Sequence, residues 1–332
     1  MSCSKDEVEE KEIISADIER VFIINEGNFQ WGNAGISLFL PDSNKIIEDY
    51  YQQVNNQSLG DVALSMISDE SYFYIVVNNS SKIEVVDKRD FKRIETISGF
   101  NSPRYIVKGA NQKAYVSDLY EDAVYVIDLL SRKILKQIPL AGWTEEMLLI
   151  EDKLYVTNLR TDYLYIIDVN TDELTDSIYL ACKSYSLIED NSGKLWVLCP
   201  GSSFDNEEAF LISVNPVDNQ LQHTISFSPQ VTGVKGLQKN AGGDKLFYAV
   251  NNDIFKKSAY NFDLPQTPFI ESQSQNIYDF FIHPVTNDFY VLDAKDYNSR
   301  GALFIYDSEG NFKEKFKTGI IPTFVYFERI EK

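Results

Sequence analysis

One short motif recurs along the chain at nearly constant spacing, and it constrains the fold more than any other feature. Lys113–Asp118, Lys153–Asn158 and Asp288–Asp293 each place apolar and aromatic residues before a final polar residue. Seven copies, some of them looser, end at Asn25, Asn78, Asp118, Asn158, Cys199, Asn251 and Asp293. Of the spacings of 53, 40, 40, 41, 52 and 42 residues, four match the roughly 40–45 residues of a four-stranded propeller blade. The two long spacings contain insertions around 29–33 and 202–208.

Each copy lies within a set of four strand-like segments, which we call a, b, c and d in chain order, the motif being b. Arg104–Lys108 is an example of a, Val124–Asp128 of c and Lys133–Ile138 of d. Asp and Asn at the turns support this interpretation, because their side chains bond the local backbone and tolerate left-handed geometry. One such sheet cannot bury both of its faces, so the sheets must stack to build a core.

The two ends of the repeat determine how the ring closes. The first b strand, Val21–Asn25, has no a strand before it, and the chain ends with an unused strand, Thr323–Glu328. Pairing these two strands completes the first blade and leaves no open edge. The sequence therefore predicts an all-β, seven-bladed β-propeller with four antiparallel strands per blade, formed by residues 18–332. A β-sandwich with accidental internal similarity is the alternative.

Charge and residue counts exclude several functions. The net charge of -19, from 31 basic and 50 acidic residues, repels phosphate backbones, so we expect no nucleic-acid partner. The chain has only two histidines, His223 and His283, and no nucleophile-elbow, zinc-protease or phosphate-loop motif,. We therefore predict no catalytic residues, no metal site and no cofactor, although chemistry based on carboxylates alone stays open.

Two groups of motifs resemble known families. Tyr155–Asn158 followed by Tyr165–Asp168 resembles the YVTN-type propeller repeat of bacterial surface-layer proteins. Asn25–Asn28, Leu59–Asp61, Asn78–Ser81 and Ser102–Tyr105 resemble a Bacteroidota lipoprotein propeller family that includes cobalamin-binding surface proteins. The second resemblance implies binding of a corrinoid, a vitamin B12-type ligand, and its delivery to an outer-membrane TonB-dependent transporter.

The N-terminus resembles that of a processed lipoprotein of the same bacteria. Cys3 is followed by Ser-Lys-Asp-Glu, and the charged stretch lacks periodicity. This resemblance implies a lipid anchor on Cys3, a flexible tether over residues 1–17 and a location on the outer face of the outer membrane, with membrane contact only through the anchor. An ordinary cytosolic start with a stray cysteine is the alternative.

The other two cysteines fall at one rim of the predicted propeller. Cys182 lies where a d strand meets the next a strand, and Cys199 ends the adjoining b strand. A disulfide between them is conceivable. We favour two free buried thiols, because cysteine is also a good small core residue.

The rim at which b strands end and a strands begin, here called the top face, collects aromatic residues and arginines. We predict apolar ligand contacts from Trp31, Tyr120, Trp143 and Tyr185, and hydrogen bonds from Asn78, Arg104, Asn158 and Arg160. Tyr163 and Tyr278 are predicted to belong to the same ligand-binding site. A monomer rarely gathers exposed aromatics on one surface without a partner. Each aromatic could instead pack between blades, and the strand-end amides could cap turns.

Three functions fit these observations. The favoured one is a non-catalytic surface protein that binds a corrinoid, or another bulky organic ligand, on its top face. The second is a protein-interaction scaffold at the cell surface. The third is a propeller lyase or hydrolase, which the scattered rim acids make less attractive.

Overall fold

Each repeat motif becomes the second strand of a four-stranded antiparallel sheet, because its alternating side chains meet apolar faces on both neighbouring sheets. The computed structural model describes residues 19–329 and contains seven such sheets. The prediction of an all-β, seven-bladed propeller with four strands per blade is confirmed.

In chain order the strands are β1 (Glu19–Asn25), β2 (Gly35–Leu40), β3 (Lys45–Ile47), β4 (Ala63–Ser68), β5 (Tyr72–Val77), β6 (Lys82–Asp87), β7 (Arg93–Ser98), β8 (Pro103–Lys108), β9 (Lys113–Asp118), β10 (Ala123–Asp128), β11 (Lys133–Pro139), β12 (Thr144–Ile150), β13 (Lys153–Asn158), β14 (Tyr163–Asp168), β15 (Glu173–Tyr179), β16 (Ser186–Glu189), β17 (Leu195–Cys199), β18 (Phe210–Asn215), β19 (Gln220–Ser226), β20 (Lys235–Lys239), β21 (Lys245–Val250), β22 (Asp253–Ser258), β23 (Ile270–Glu271), β24 (Ile277–Ile282), β25 (Phe289–Asp293), β26 (Arg300–Tyr306), β27 (Phe312–Ile320) and β28 (Pro322–Arg329). One α-helix, α1 (Tyr50–Asn55), and two short 3-10 turns, Pro41–Ser43 and Asn78–Ser80, complete the described elements.

The blades follow one another along the chain except at the closure. Blade 1 has the order β28-β1-β2-β3, and blades 2 to 7 take four consecutive strands each, from β4 to β27. The first strand of each blade contacts the first strands of its neighbours, so these inner strands form a ring around the propeller axis.

The C-terminal strand closes the ring as the sequence predicts. β28 pairs antiparallel with β1 from Glu19 opposite Arg329 to Asn25 opposite Pro322. Its side chains alternate between two interfaces: Phe324 and Tyr326 pack into the core shared with blade 2, and Val325 packs into the core shared with blade 7. The closing strand therefore joins both neighbouring interfaces of blade 1.

The apolar core lies between adjacent blades rather than at one centre. Phe22 of blade 1 stacks on Phe91 of blade 2 with ring centroids 5.1 Å apart, and Phe73 packs against both. Trp196, which the sequence assigns to the core, is fully buried, and its indole nitrogen donates to Asp190 at 2.8 Å.

Two features differ from the sequence expectations. The prediction of free thiols is wrong: Cys182 and Cys199 form a disulfide, because the start of one inner strand and the end of the next strand bring their Cα atoms to 6.1 Å,. Helix α1 was not predicted; it lies in the long connection between β3 and β4 and accounts for part of the first long repeat spacing.

No helix between residues 19 and 329 has the length and apolar character needed to cross a membrane. The predicted tether and its lipidation residue, Cys3, lie outside the described residues.

Candidate functional site: the channel mouth and the top face

β-Bulges mark the upper ends of the inner strands. Six of the seven inner strands shift register within their first few residues, for example between Pro103 and Ile106 in β8 and between Thr144 and Met147 in β12. A bulge sets an extra residue against the partner strand and re-aims side chains, and bulges are frequent beside functional sites. In β8, β12 and β24 the residues at the bulge are ionisable.

An ion pair with three hydrogen bonds joins blades 3 and 4 near the propeller axis. The Nε atom of Arg104 donates to both carboxylate oxygens of Glu145, at 3.1 and 3.0 Å, and Nη2 donates to Oε2 at 2.9 Å. Burial raises the pKa of the Glu145 carboxyl, and the guanidinium opposes that rise. Glu145 is fully buried, so water does not solvate its charge. The stability of this ion pair therefore depends on how well its hydrogen bonds are formed.

Tyrosine hydroxyls make two further contacts across the channel. The hydroxyl of Tyr278 donates to Oε2 of Glu26 at 2.6 Å, and the hydroxyls of Tyr105 and Tyr185 lie 3.0 Å apart. Burial raises the pKa of Glu26 and holds the pKa of Tyr185 well above its usual value. The tyrosines therefore stay protonated and can serve as donors.

Two acids near the axis lack a cationic partner at ion-pair distance among the described residues. Burial, and then repulsion from Asp279, raises the pKa of Glu146 to about 8, although Ser186 donates to it at 2.8 Å. Burial raises the pKa of Asp279 to about 7, partly offset by the backbone N–H of Phe280 and the charge of Lys235. The raised pKa values favour the protonated forms of both acids, so the axial region offers donors as well as acceptors.

These acids do not form a metal site of the familiar kind. Within residues 19–329 no group of three or more His, Cys, Asp or Glu side chains is placed to hold a metal ion. We define the axial cluster as Glu26, Arg104, Tyr105, Glu145, Glu146, Tyr185, Lys235, Tyr278 and Asp279.

Exposed aromatic side chains also lie on the top face, in its loops and at the strand ends beside them. They are Phe29, Trp31, Tyr120, Trp143, Tyr163, Tyr179, Phe204 and Tyr297. Elsewhere on the described surface the exposed aromatics are Tyr260, Phe262 and Phe312. The aromatic surface of the propeller is thus concentrated on one of its two faces.

One group of these residues is already ordered as a unit, which we call the Trp143 group. Tyr120 meets Trp143 edge to face with ring centroids 6.2 Å apart, and the guanidinium of Arg160 lies 5.7 Å from the Trp143 ring. Tyr120 is 61% exposed and Trp143 36% exposed. The group therefore presents two rings and a cation to solvent.

The ten residues assigned to the site by sequence fall into three sets. The exposed set is Trp31, Tyr120, Trp143, Arg160 and Tyr163; the axial set is Arg104, Tyr185 and Tyr278; the buried set is Asn78 and Asn158. The first two sets face the top surface or the channel mouth.

The two strand-end amides serve the backbone. Nδ2 of Asn78 donates to Ser102 Oγ and to the Pro103 carbonyl, at 2.9 and 3.0 Å. Oδ1 of Asn158 accepts from the backbone N–H groups of Arg160 and Thr161, both at 2.9 Å. These bonds hold the top loops that carry the exposed rings.

Sequence reasoning missed the axial acids Glu26, Glu145, Glu146 and Asp279. A signal existed: Glu145 and Glu146 interrupt an otherwise apolar inner strand, and Asp279 lies between aromatic residues in another. Buried acids that interrupt an apolar strand point to a polar centre.

Comparison with known proteins agrees with the fold. Residues 19–320 match the family described as "Domain of unknown function (DUF5074)". No curated protein shows significant similarity to the sequence.

Several solved structures share the architecture at low sequence identity. A quinonprotein alcohol dehydrogenase-like protein from Bacteroides thetaiotaomicron has a TM-score of 0.73 and 14% identity, over 94% of this chain and 78% of that one. A protein from Lactobacillus plantarum has a TM-score of 0.71 and 13% identity, over 94% and 100%. Hydrazine synthase from Kuenenia stuttgartiensis has a TM-score of 0.69 and 13% identity, over 80% and 94%. At these identities the likeness shows the fold alone.

Proposed function

The chain belongs to the DUF5074 family, whose description names no function, and from that premise we propose that it is a non-catalytic binding protein whose top face holds a bulky, largely neutral organic ligand. One observation carries the proposal: exposed aromatic rings are concentrated on the face of the propeller at which the buried polar groups of the axial cluster lie. Aromatic side chains supply large contact area, and a few placed polar groups orient the ligand.

The specific ligand we propose is a corrinoid, which would be passed to an outer-membrane transporter. A corrin has apolar faces and an edge of amide groups. The Trp143 group offers rings for the faces, and the axial cluster offers both donors and acceptors for amides. The net charge of -19 disfavours an anionic ligand but leaves a neutral one unaffected,.

Calorimetric titration with cobalamin and with cobinamide tests this proposal. Trp143→Ala should weaken binding by roughly thirtyfold, equivalent to about 2 kcal/mol, if the ring is a central contact. Tyr260→Ala is the matched control, because Tyr260 is a similarly exposed aromatic that lies on the opposite face, where it bonds Asn191 at 2.8 Å. If neither corrinoid produces heat of binding at ligand concentrations in the high micromolar range, the corrinoid proposal is wrong.

A protein partner is the second candidate. Phe204 is 95% exposed on the long loop between β17 and β18. Aromatic residues are enriched in protein–protein interfaces, so this exposed ring fits contact with a protein partner. Phe204→Ala should then weaken binding to a purified transporter while leaving corrinoid binding intact. The reverse pattern would favour the small-ligand proposal.

We further propose that the protein is anchored to the outer membrane through a lipid on Cys3. The support is the sequence resemblance at residues 3–7. Expression of the precursor with Cys3→Ala should release the protein from membranes. Retention of that variant in the outer-membrane fraction would contradict the anchor.

A further inference from the structure

A separate cavity lies at the seam where the last blade meets the first. It has a volume of about 280 Å³ and is walled by residues 32–35 of blade 1, by α1 and by the end of β27. The wall that α1 forms belongs to the connection between β3 and β4, which is longer than the corresponding connection of any other blade. The additional residues of this connection are not needed to continue the blade repeat, and here they form one wall of the cavity.

Charged groups at one side of the cavity determine which ligands it can accept. Nη1 and Nη2 of Arg300 each lie 3.0 Å from a carboxylate oxygen of Asp49, and Nε lies 2.8 Å from Glu48. Two carboxylates thus surround one guanidinium, and each of its three nitrogens makes a polar contact. The excess negative charge repels anions, and the guanidinium disfavours a cation in the same place.

The opposite side of the cavity offers amide groups. Asn25 is 1% exposed, and its Nδ2 donates to Ser37 Oγ at 3.1 Å and to the Ile23 carbonyl at 3.2 Å. These bonds fix the orientation of the amide, and its buried Oδ1 has no partner within residues 19–329. The side chain of Gln52, which also lines the cavity, makes no hydrogen bond to the described residues. The cavity wall on this side is therefore polar, with an unsatisfied amide oxygen just behind it.

We propose that this cavity binds one ring of a neutral sugar. Sugar hydroxyls both donate and accept, so they suit a lining of carboxylates and amides that carries no free cation. The volume lies just below the roughly 300 Å³ at which pockets for drug-sized ligands begin, which fits a single ring. Trp31 is 78% exposed and adjoins Gly32 of the cavity wall, so its ring is available to cover the apolar face of a sugar.

Saturation-transfer NMR with glucose, galactose and mannose, each at about 10 mM because single-ring affinities are weak, tests the proposal. Each sugar is offered free and as its methyl glycoside. Transfer to both forms identifies a free sugar as ligand, and transfer to the glycoside alone identifies the end of a glycan chain. No transfer to any of these probes overturns the proposal.

Two neighbouring glutamines of α1 provide a matched pair of variants. Both side chains are exposed, but only Gln52 lines the cavity, whereas Gln53 bonds the Glu48 carbonyl outside it. We expect the transfer signal to fall at least about fivefold in Gln52→Ala and to persist in Gln53→Ala. Equal signals in the wild type and Gln52→Ala would overturn the proposal. Neither variant touches the Trp143 group, so the result is independent of corrinoid binding.

Discussion

Removal of the cation from the Arg104–Glu145 pair should destabilise the propeller far more than removal of the whole pair. Glu145 is 1% and Arg104 20% exposed in their side chains, and three contacts of 2.9 to 3.1 Å join them. Arg104→Met leaves a buried carboxylate without its partner, which costs about 3–5 kcal/mol. The double variant Arg104→Met/Glu145→Leu removes both charges and should lie close to the wild type in stability, because apolar replacements avoid the desolvation of two ions.

Urea unfolding at pH 7.5, followed by the fluorescence of the buried Trp196, measures these free energies. Lys92→Met is the control: it removes a pair with Asp90 in which both side chains are exposed. Solvent screens that pair, so the unfolding midpoint should hardly move. A loss below about 1 kcal/mol for Arg104→Met, or a double variant as unstable as the single one, would refute the reasoning about the buried pair.

Three further predictions concern stability. The folded pKa values of Glu146 and Asp279, about 8 and about 7, lie above their ordinary values of 4.5 and 3.8. The folded state therefore binds more protons than the unfolded state between about pH 4 and 8, so the free energy of unfolding should decrease as the pH rises through that range. Glu146→Gln should flatten this profile in thermal melts, and an unchanged slope would contradict the prediction. Deletion of residues 323–332 removes most of β28 and should abolish cooperative unfolding in calorimetry, whereas a melt like that of the full chain would contradict the closure. Cys182→Ser opens a loop of sequence separation 17 and should lower the free energy of unfolding by about 3 kcal/mol; stability equal to the wild type in denaturant would show that the bridge contributes nothing.

The repeat made the fold predictable because every blade must bury the apolar faces of the same four-stranded sheet against its neighbours. Residue types at the b strands gave the blade count, and the unpaired segments at the two ends gave the closure between β1 and β28. The core position of Trp196 followed from its place in a strand buried on both faces.

The axial cluster was less predictable because its residues are positioned by β-bulges, which the sequence pattern does not reveal. In a regular strand Glu145 and Glu146 would point to opposite faces, and only the bulge in β12 brings both into the axial cluster,. Helix α1 has no side-chain cap and begins after Asp49, which adopts a left-handed backbone with φ of 51°. These features arise from tertiary contacts, so the local sequence carries little sign of them.

The prediction of the aromatic face rested on topology and could be made from sequence. The b–c and d–a connections must emerge at the same rim, which placed Trp31, Tyr120 and Trp143 together on one face. The partners of Arg104, Tyr185 and Tyr278 could not be named, because each contact crosses from one blade to another, over 41, 80 and 252 residues of sequence.

Gel filtration of the purified protein with cobalamin tests the central claim most directly, because the corrin chromophore reports binding by itself. The account predicts that the red colour elutes with the wild type and with Tyr260→Ala, and that it separates from Trp143→Ala. Elution of all the cobalamin as free ligand from the wild type would contradict corrinoid binding at the top face.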